Sequence, residues 1–454
     1  MKNCSTSWKA GRVAGATAQA DREAFMELPE EVLVTSMREH QRYLALEDGD
    51  GKLAPFFITV ANIDAPDGGK AIIEGNERVL RARLWDAKFF WDQDRKVRLE
   101  DRLAKLEPMV FHADSGRWGR SSVLSGLLGG LLAGLAEAHL LWRGGSPPFK
   151  SDLVTGLVGE FPELQGIMGG YYARNDGLDE RIATAIAEHY RPQGPNDLLP
   201  TSADGVAVAL ADKLDTLVGF FAAGIRPTGS KDPFALRRAA LSIIRLLLEK
   251  GIRLNLRTAI TGAREWYGAM FSQNDDDAFI EEVLDFMTDR LAVQQRERGT
   301  RHDVIKAVSA TGQRDDLVNL AARAAAVQSF IDSDDGRNLL AAYKRADNIL
   351  RIELEKDGAT SAGEVDGSLL REAAERQFGE AVSRLRDDMR GLLDKEAYEE
   401  AMRLAAAMRA PVDRFFDEVM VNAEDAGIRA NRLALLDEFV TEFGSIADFS
   451  VIES

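Results

Sequence analysis

Apolar residues along this chain recur chiefly at the three-to-four-residue spacing of helices. Val79, Leu80, Leu84, Ala87, Phe90 and Trp91 mark one such face, with Arg78, Arg81, Arg83 and Lys88 on the others. Acidic Asp86, Asp92 and Asp94 interleave with these cations, which favours a solvated face over a nucleic-acid contact. From residue 150 to about 330 the pattern is almost wholly helical. After Asp332-Ser-Asp-Asp-Gly336, which reads as a hinge, Leu339, Leu340, Tyr343, Ala346, Ile349 and Leu350 continue it. Residues 353–367 are polar and contain Gly358, Gly363 and Gly367, predicting a mobile loop, and 369–393 and the set around 411–416 predict the last helices. Two short segments, 56–61 and 71–74, are β-prone, and the turn signal Asp64-Ala-Pro-Asp-Gly-Gly69 between them predicts a hairpin or a pair of strands. Residues 1–24 are rich in Ala, Gly and Arg without periodicity and predict disorder.

One stretch, 114–149, departs from the rest. Residues 123–136 carry no charge and include Gly130-Leu-Leu-Ala-Gly134, but the run falls short of the roughly 18 to 20 residues of a membrane span, and Glu137 and His139 interrupt it. A buried or interfacial helix fits it. The preferred reading is a product of two compensating frameshifts.

With 454 residues, 45% hydrophobic and 29% charged, the chain buries a large core and divides into two to four domains. A single cysteine, Cys4, excludes an internal disulfide framework and a cysteine-based zinc site and fits a reducing cytoplasm. The N-terminus lacks the apolar segment of a secretory signal, so a cytoplasmic location is expected. The formal charge is −17, yet from Arg226 to Arg257 eight Lys/Arg stand against two Asp/Glu. A basic face on an acidic body suits a selective polyanion binder. At its centre lies Thr228-Gly-Ser-Lys-Asp-Pro-Phe-Ala-Leu-Arg-Arg-Ala-Ala-Leu241. Asp232 is placed to cap a helix and Pro233 to occupy its first turn. Lys231, Arg237 and Arg238 are then the candidate RNA contacts.

This cassette, together with Glu160-Phe-Pro-Glu-Leu-Gln-Gly-Ile-Met-Gly-Gly-Tyr-Tyr172, Ala211-Asp-Lys-Leu-Asp-Thr-Leu217 and Leu33-Val-Thr-Ser-Met-Arg-Glu-His-Gln-Arg-Tyr43, resembles the beta subunit of the bacterial two-subunit glycyl-tRNA synthetase. So do Glu74-Gly-Asn-Glu-Arg-Val-Leu-Arg-Ala-Arg-Leu84, Gly299-Thr-Arg-His-Asp303, Val419-Met-Val-Asn422 and Arg429-Ala-Asn-Arg-Leu433. The resemblance runs from about residue 25 to the C-terminus with one interruption, and implies that the chain supplies roughly the last two thirds of a subunit. It implies a mainly α, multidomain fold: an α+β remnant over 25–112, an HD-like helical domain over 113–330, and a helical anticodon-binding domain over 331–454.

The function implied is positioning of tRNA(Gly) for ATP-dependent glycylation at the active site of a separate alpha subunit, in an alpha2beta2 heterotetramer. ATP and Mg2+ belong to that partner, none is bound by this chain, and no residue here is catalytic. Neither DNA nor a membrane is an expected partner. In the C-terminal domain the resemblance points Lys344, Arg345 and Asn348, and the segment with Arg429, Asn431 and Arg432, toward the anticodon arm. Arg429 and Arg432 lie three apart on one helical face, and Asn431 offers a donor and an acceptor to a base edge. The alternative is that Asn431 and Arg432 tie the terminal helices together.

Other chemistry-bearing residues have plainer uses. In the HD-like region the metal-binding dyad position holds Ser151-Asp152 and the later aspartate is Asp212, so the imidazole ligands are missing. Asp212 and Asp215 share a helical face, which fits a salt bridge better than an acid/base pair. Gly166, Gly169 and Gly170 match no phosphate-binding fingerprint and fit close helix packing, with base stacking by Tyr171 or Tyr172 as the alternative. The pair His302-Asp303 lies outside the dyad's place and fits capping or packing. Two other functions stay open: a metal-dependent HD-type phosphohydrolase, and a truncated remnant that binds neither tRNA nor partner.

Overall fold

The structure, a computed structural model, describes residues 11–16, 22–61, 63, 65–106, 110–112, 116–117, 148–265, 267 and 276–453. The chain divides into two units, Met1–Ala223 and Gly224–Ser454. The division falls inside the HD-like stretch read from the sequence.

In the first unit, β1 (Gly11–Ala16), β2 (Leu44–Glu47) and β3 (Leu53–Ala61) form an antiparallel sheet with β3 in the centre. β1 falls within the stretch for which disorder was expected. The strand expected at 56–61 is β3, but residues 71–74 are not its hairpin partner. They open α1 (Lys70–Asp94), because the Asp67 carboxylate accepts from the Gly69 and Ala71 N–H groups at 2.9 and 2.8 Å and so starts a helix. α1 buries Leu80, Leu84, Ala87 and Trp91, the periodic face read from the sequence. Its cations turn to carboxylates: Lys88 to Glu27 and Asp92, Arg83 to Glu160.

α2 (Ile167–Asn175), α3 (Glu180–Glu188) and α4 (Ala203–Ala222) complete the unit. Asp94, buried at the end of α1, accepts from the N–H groups of Gly156 and Leu157 at 3.0 and 2.9 Å and from the Tyr172 hydroxyl at 3.1 Å. One carboxylate thereby satisfies the start of the helical turn Gly156–Glu160 and fixes α2 beside it. Apart from Gly116–Arg117 and residues 148–149, the anomalous stretch lies outside the described residues.

The second unit is all helical among the described residues: α5 (Leu236–Lys250), α6 (Leu256–Glu265), α7 (Asp276–Glu297), α8 (His302–Ser309), α9 (Leu317–Ile331), α10 (Asp334–Asp357), α11 (Ala373–Asp394), α12 (Tyr398–Ala406), α13 (Arg409–Glu418) and α14 (Ala426–Gly444). Tyr343, Phe378, Phe415, Phe439, Phe443 and Phe449 interlock at its centre, with ring centroids as close as 4.4 Å for Phe443 and Phe449. The expected hinge at 332–336 is a tight connection instead. Ser333 caps α10 through the Gly336 N–H, and a Cβ at Gly336 would overlap the Phe330 carbonyl. The loop after α10 is likewise pinned, by Asp437 to the Ala362 N–H and by Asn431 to the Asp366 N–H.

Candidate nucleic-acid interface

Thr228 and Lys231 exchange backbone hydrogen bonds of 3.0 and 2.8 Å around Gly229 and Ser230, a turn that uses the positive φ of Gly229. The helix that follows starts later than the cap and proline signals indicate. α5 begins at Leu236 after Ala235, which takes the left-handed conformation, and Asp232 reaches across the turn to the Leu236 and Arg237 N–H groups at 2.8 and 2.9 Å. Pro233 and Phe234 belong to the turn. Leu236, Ala240, Ile243, Ile244 and Leu247 bury one face of α5. Lys231 and Arg238 are left exposed and Arg237 half-buried, none of them with an acidic partner among the described residues.

The basic balance from Arg226 to Arg257 is smaller in space than in sequence. Arg226 pairs with Glu282, Arg245 with Glu249, Arg253 with Asp316 and Glu396, and Arg257 with Glu281 and Asp315. Lys231, Arg237, Arg238 and Lys250, the last at the far end of α5, escape this neutralisation. Sequence counting missed the distinction because the neutralising carboxylates, apart from Glu249, come from elements 24 to 143 residues away.

The C-terminal candidates divide. Arg345 is exposed and lies over the Phe416 ring at 4.3 Å, and Asn348 is exposed and accepts from Arg351 at 3.2 Å. Arg345 borders a groove of about 340 Å³ also lined by Ile349, Glu353, Met420 and Asn422; Asn348 does not line it. Lys344 donates instead to the Ile452 carbonyl at 2.6 Å. Arg429 is bound by Glu353 and Asp357 at 2.7 and 2.8 Å. Asn431 and Arg432 are buried, and here the nucleic-acid expectation is corrected in favour of its alternative. Asn431 bridges both backbone groups of Asp366, and Arg432 donates to Glu375, to Glu372 at 2.9 Å and to the Met420 carbonyl at 2.6 Å. The Arg429–Arg432 spacing that placed two cations on one face also placed them opposite the carboxylates of α10 and α11.

The HD-like position is a buried charge cluster. Lys150, in a left-handed conformation, pairs with Asp212, and Lys213 donates to the carbonyls of His189 and Tyr190 at 3.2 Å each. Burial pushes the Asp212 carboxyl up, but the Lys150 and Lys213 charges outweigh it and hold it below the usual range. Asp152 accepts from the Gly166 N–H at 2.5 Å, and burial raises its carboxyl. His189 donates from Nδ1 to the Ile186 carbonyl at 2.7 Å, an atom that can only accept, so Nε2 carries the lone pair. Burial lowers its pKa to about 4. With an ammonium already on Asp212, this donor set does not fit a divalent cation, and no group of three or more metal-ligating side chains is assembled among the described residues.

Glycine packing accounts for the Gly166, Gly169 and Gly170 run: a Cβ at these positions would strike Tyr190, Ile186 and Ala187 respectively. Tyr172 is buried against Trp91, and Tyr171 donates to Glu31 at 2.9 Å, so neither ring is set out for a base. His302 stands exposed in the first turn of α8, and Asp303 turns to Arg301 and the Glu453 N–H.

A family model described as glycyl-tRNA synthetase beta subunit matches residues 17–310, and a DALR anticodon binding domain matches 339–443. The chain belongs to the glycyl-tRNA synthetase beta subunit family. The glycine--tRNA ligase beta subunit of Phenylobacterium zucineum (strain HLK1) is 50% identical over 434 residues, 94% of this chain and 62% of the relative. That of Rhodospirillum centenum is 50% identical over 436 residues, with 95% and 60% covered, and one from Cereibacter sphaeroides is 43% identical over 439 residues, with 95% and 63% covered. The chain thus spans about three fifths of the length of these family members. Its C-terminal helices, α10 to α14, coincide with the anticodon-binding match, and the α5 corner lies within the beta-subunit match. No helix among the described residues is long and apolar enough to cross a membrane.

Proposed function

We propose that this chain is the tRNA-binding part of a glycine–tRNA ligase beta subunit, holding tRNA(Gly) for glycylation by an alpha subunit that carries ATP, Mg2+ and glycine. The observation that carries the reading is the α5 corner. Lys231, Arg237 and Arg238 keep their charge free of carboxylates among the described residues, in a protein of formal charge −17 where most of the described arginines are paired. Free cations grouped on a fixed helix start are what a phosphate backbone requires, and each neutralised phosphate releases counterions. Arg345 on Phe416, beside the groove in the anticodon-binding domain, offers a cationic plane to an unpaired base. The chain's share in catalysis is positional. The alpha subunit activates glycine with ATP, and the tRNA 3′ end, held within reach, attacks the adenylate at a lowered entropic cost.

Cytoplasmic location and the alpha2beta2 assembly belong to the same reading. Filter binding with glycine and non-glycine tRNAs, with and without the alpha subunit, tests it. The expected result is a preference for tRNA(Gly) with the alpha subunit present and no aminoacylation by this chain alone. No preference under either condition supports the truncated remnant instead. The phosphohydrolase alternative finds no support in the Lys150–Asp212 cluster.

A further inference from the structure

The motif Gly299-Thr-Arg-His-Asp303, which the tRNA reading leaves without a role, is built as a receptor for a distant stretch of backbone. Gly299 takes a positive φ of 95° just past α7, the Thr300 N–H turns back to the Gln295 carbonyl at 3.0 Å, and the Arg301 N–H donates to Gln328 of α9 at 2.8 Å. So fixed, Arg301 and Asp303 pair with each other, and each takes one backbone group of Glu453. The Arg301 guanidinium donates to the Glu453 carbonyl and the Asp303 carboxylate accepts from the Glu453 N–H, both at 2.7 Å. This grip acts on backbone 150 residues away and requires nothing of the Glu453 side chain. The stretch it holds, residues 446–453, contains the short turn Phe449–Val451 and lies between two sets of helices. Toward α8, the Asp448 N–H donates to the Ala307 carbonyl at 2.9 Å. Toward α10 and α14, Lys344 donates to the Ile452 carbonyl, and the buried Phe449 ring lies 5.8 Å from Tyr343 and 4.4 Å from Phe443. Asp303 and Ala307 belong to the beta-subunit match, whereas Tyr343, Lys344 and Phe443 belong to the anticodon-binding match. Residues 446–453 lie past both matches and touch each of them.

We propose that residues 446–453 are a clasp between α8 and the anticodon-binding helices, and that Arg301 and Asp303, by gripping Glu453, are positioning residues for tRNA. The tight connection at 332–336 joins these helices to α9 at one point, and the clasp adds an attachment to α8 that resists rotation about that point. It thereby fixes the separation of Arg345 from the α5 corner, both of which lie in the second unit. The positioning role rests on the proposed tRNA binding; the clasp itself does not. Two contacts on one RNA reinforce each other only when their separation matches the ligand, because the second then forms as an intramolecular step at high effective concentration. Loosening the separation removes that gain and leaves each contact intact. Arg301 is exposed and Asp303 half-buried, so their removal opens no cavity in the core.

The test compares two probes, full-length tRNA(Gly) and its isolated anticodon stem-loop, by filter binding to the full chain, with hydrogen exchange of the 446–453 amides read on the same proteins. In Arg301→Ala with Asp303→Ala, exchange at the Asp448 and Glu453 N–H groups should rise about tenfold. Affinity for full-length tRNA should fall about fivefold, while affinity for the stem-loop stays at wild type. Arg301→Lys alone, which can still donate to the Glu453 carbonyl, should remain near wild type on all three measures. Should the double variant not fold, Asp303→Asn, which keeps the shape and gives up the charge, is read in the same way with a loss of about twofold for the full-length RNA. Unchanged exchange overturns the proposal. So do affinities for the two probes that fall together or that both hold, which is what a merely structural part would give. A wild-type chain that binds neither RNA overturns the tRNA assignment and the positioning role with it, while exchange still decides the clasp, so the two failures are told apart.

Discussion

The starts of α5 and α14 hold two arginine-bearing segments of similar local sequence character and opposite fates. At α5, Asp232 is spent on backbone N–H groups, and Lys231, Arg237 and Arg238 meet no carboxylate. At α14, Asp425 caps the helix in the same way, yet Arg429 and Arg432 face four acidic residues of other elements, Glu353, Asp357, Glu372 and Glu375. The difference teaches that helical spacing of cations decides which side they share, whereas the elements packed opposite decide whether the charge is available. A buried, paired guanidinium is architecture; an exposed, unpaired one is a contact waiting for a phosphate.

Removing Arg432 attacks the architectural side and should have the largest effect. Arg432→Met leaves Glu375 buried without its partner, and urea unfolding should show a loss of about 3–5 kcal/mol. At temperatures where the variant is folded, its tRNA affinity should equal wild type; a specific affinity loss would return Arg432 to the interface.

The buried cluster of the first unit extends the contrast to a titrating group. His189 faces Asp212, Lys150 and Lys213, and its folded pKa of about 4 lies below the ordinary 6.5. The unfolded chain therefore binds the proton first as pH falls. Stability from this group is full above pH 6.5, falls through the window down to pH 4, and is lower by about 2 kcal/mol at pH 5. Asp152, its carboxyl raised by burial, works in the opposite direction, so the difference between wild type and His189→Phe isolates the imidazole. Calorimetric unfolding of both proteins at pH 7.5 and 5 measures it, and parallel pH curves would contradict the burial argument.

On the contact side, Lys231→Ala with Arg238→Ala should leave the melting temperature unchanged and weaken tRNA binding about tenfold at low salt. The slope of log affinity against log salt should shrink by about 1.5 to 2. An unchanged slope would show that these cations do not meet phosphates. Smallest of all is Arg429→Ala, which should lower the melting temperature slightly and leave tRNA affinity as it was, because its charge is already committed to Glu353 and Asp357.

Much of this organisation was legible in the sequence because it is local. The periodic face of α1, the helical character of 150–330 and the turn and helix of the α5 corner follow from spacing within one element. Residues 71–74 are helical and not a second strand because Asp67, two and four residues before the Gly69 and Ala71 N–H groups it holds, starts a helix that overrides the β preference of Ile72 and Ile73. The hinge at 332–336 failed similarly: Ser333 and Gly336 look like a loose turn in sequence, but the glycine is there to let α10 close on the Phe330 carbonyl. Asn431 and Arg432 were misplaced for a long-range reason. Their partners, Asp366 and Glu375, lie 65 and 57 residues away, and nothing in the local pattern reveals them. The comparisons with relatives supplied the family, while the availability of each cation came only from the packing.

Lys150 carries one more consequence. Because its ammonium is attached to the backbone, the positive charge opposite Asp212 cannot be extracted by a chelator or diluted away. The first unit thus keeps its internal charge balance as an inheritance of the gene rather than a loan from the medium, and its melting curve should be the same in EDTA as in a metal-rich buffer.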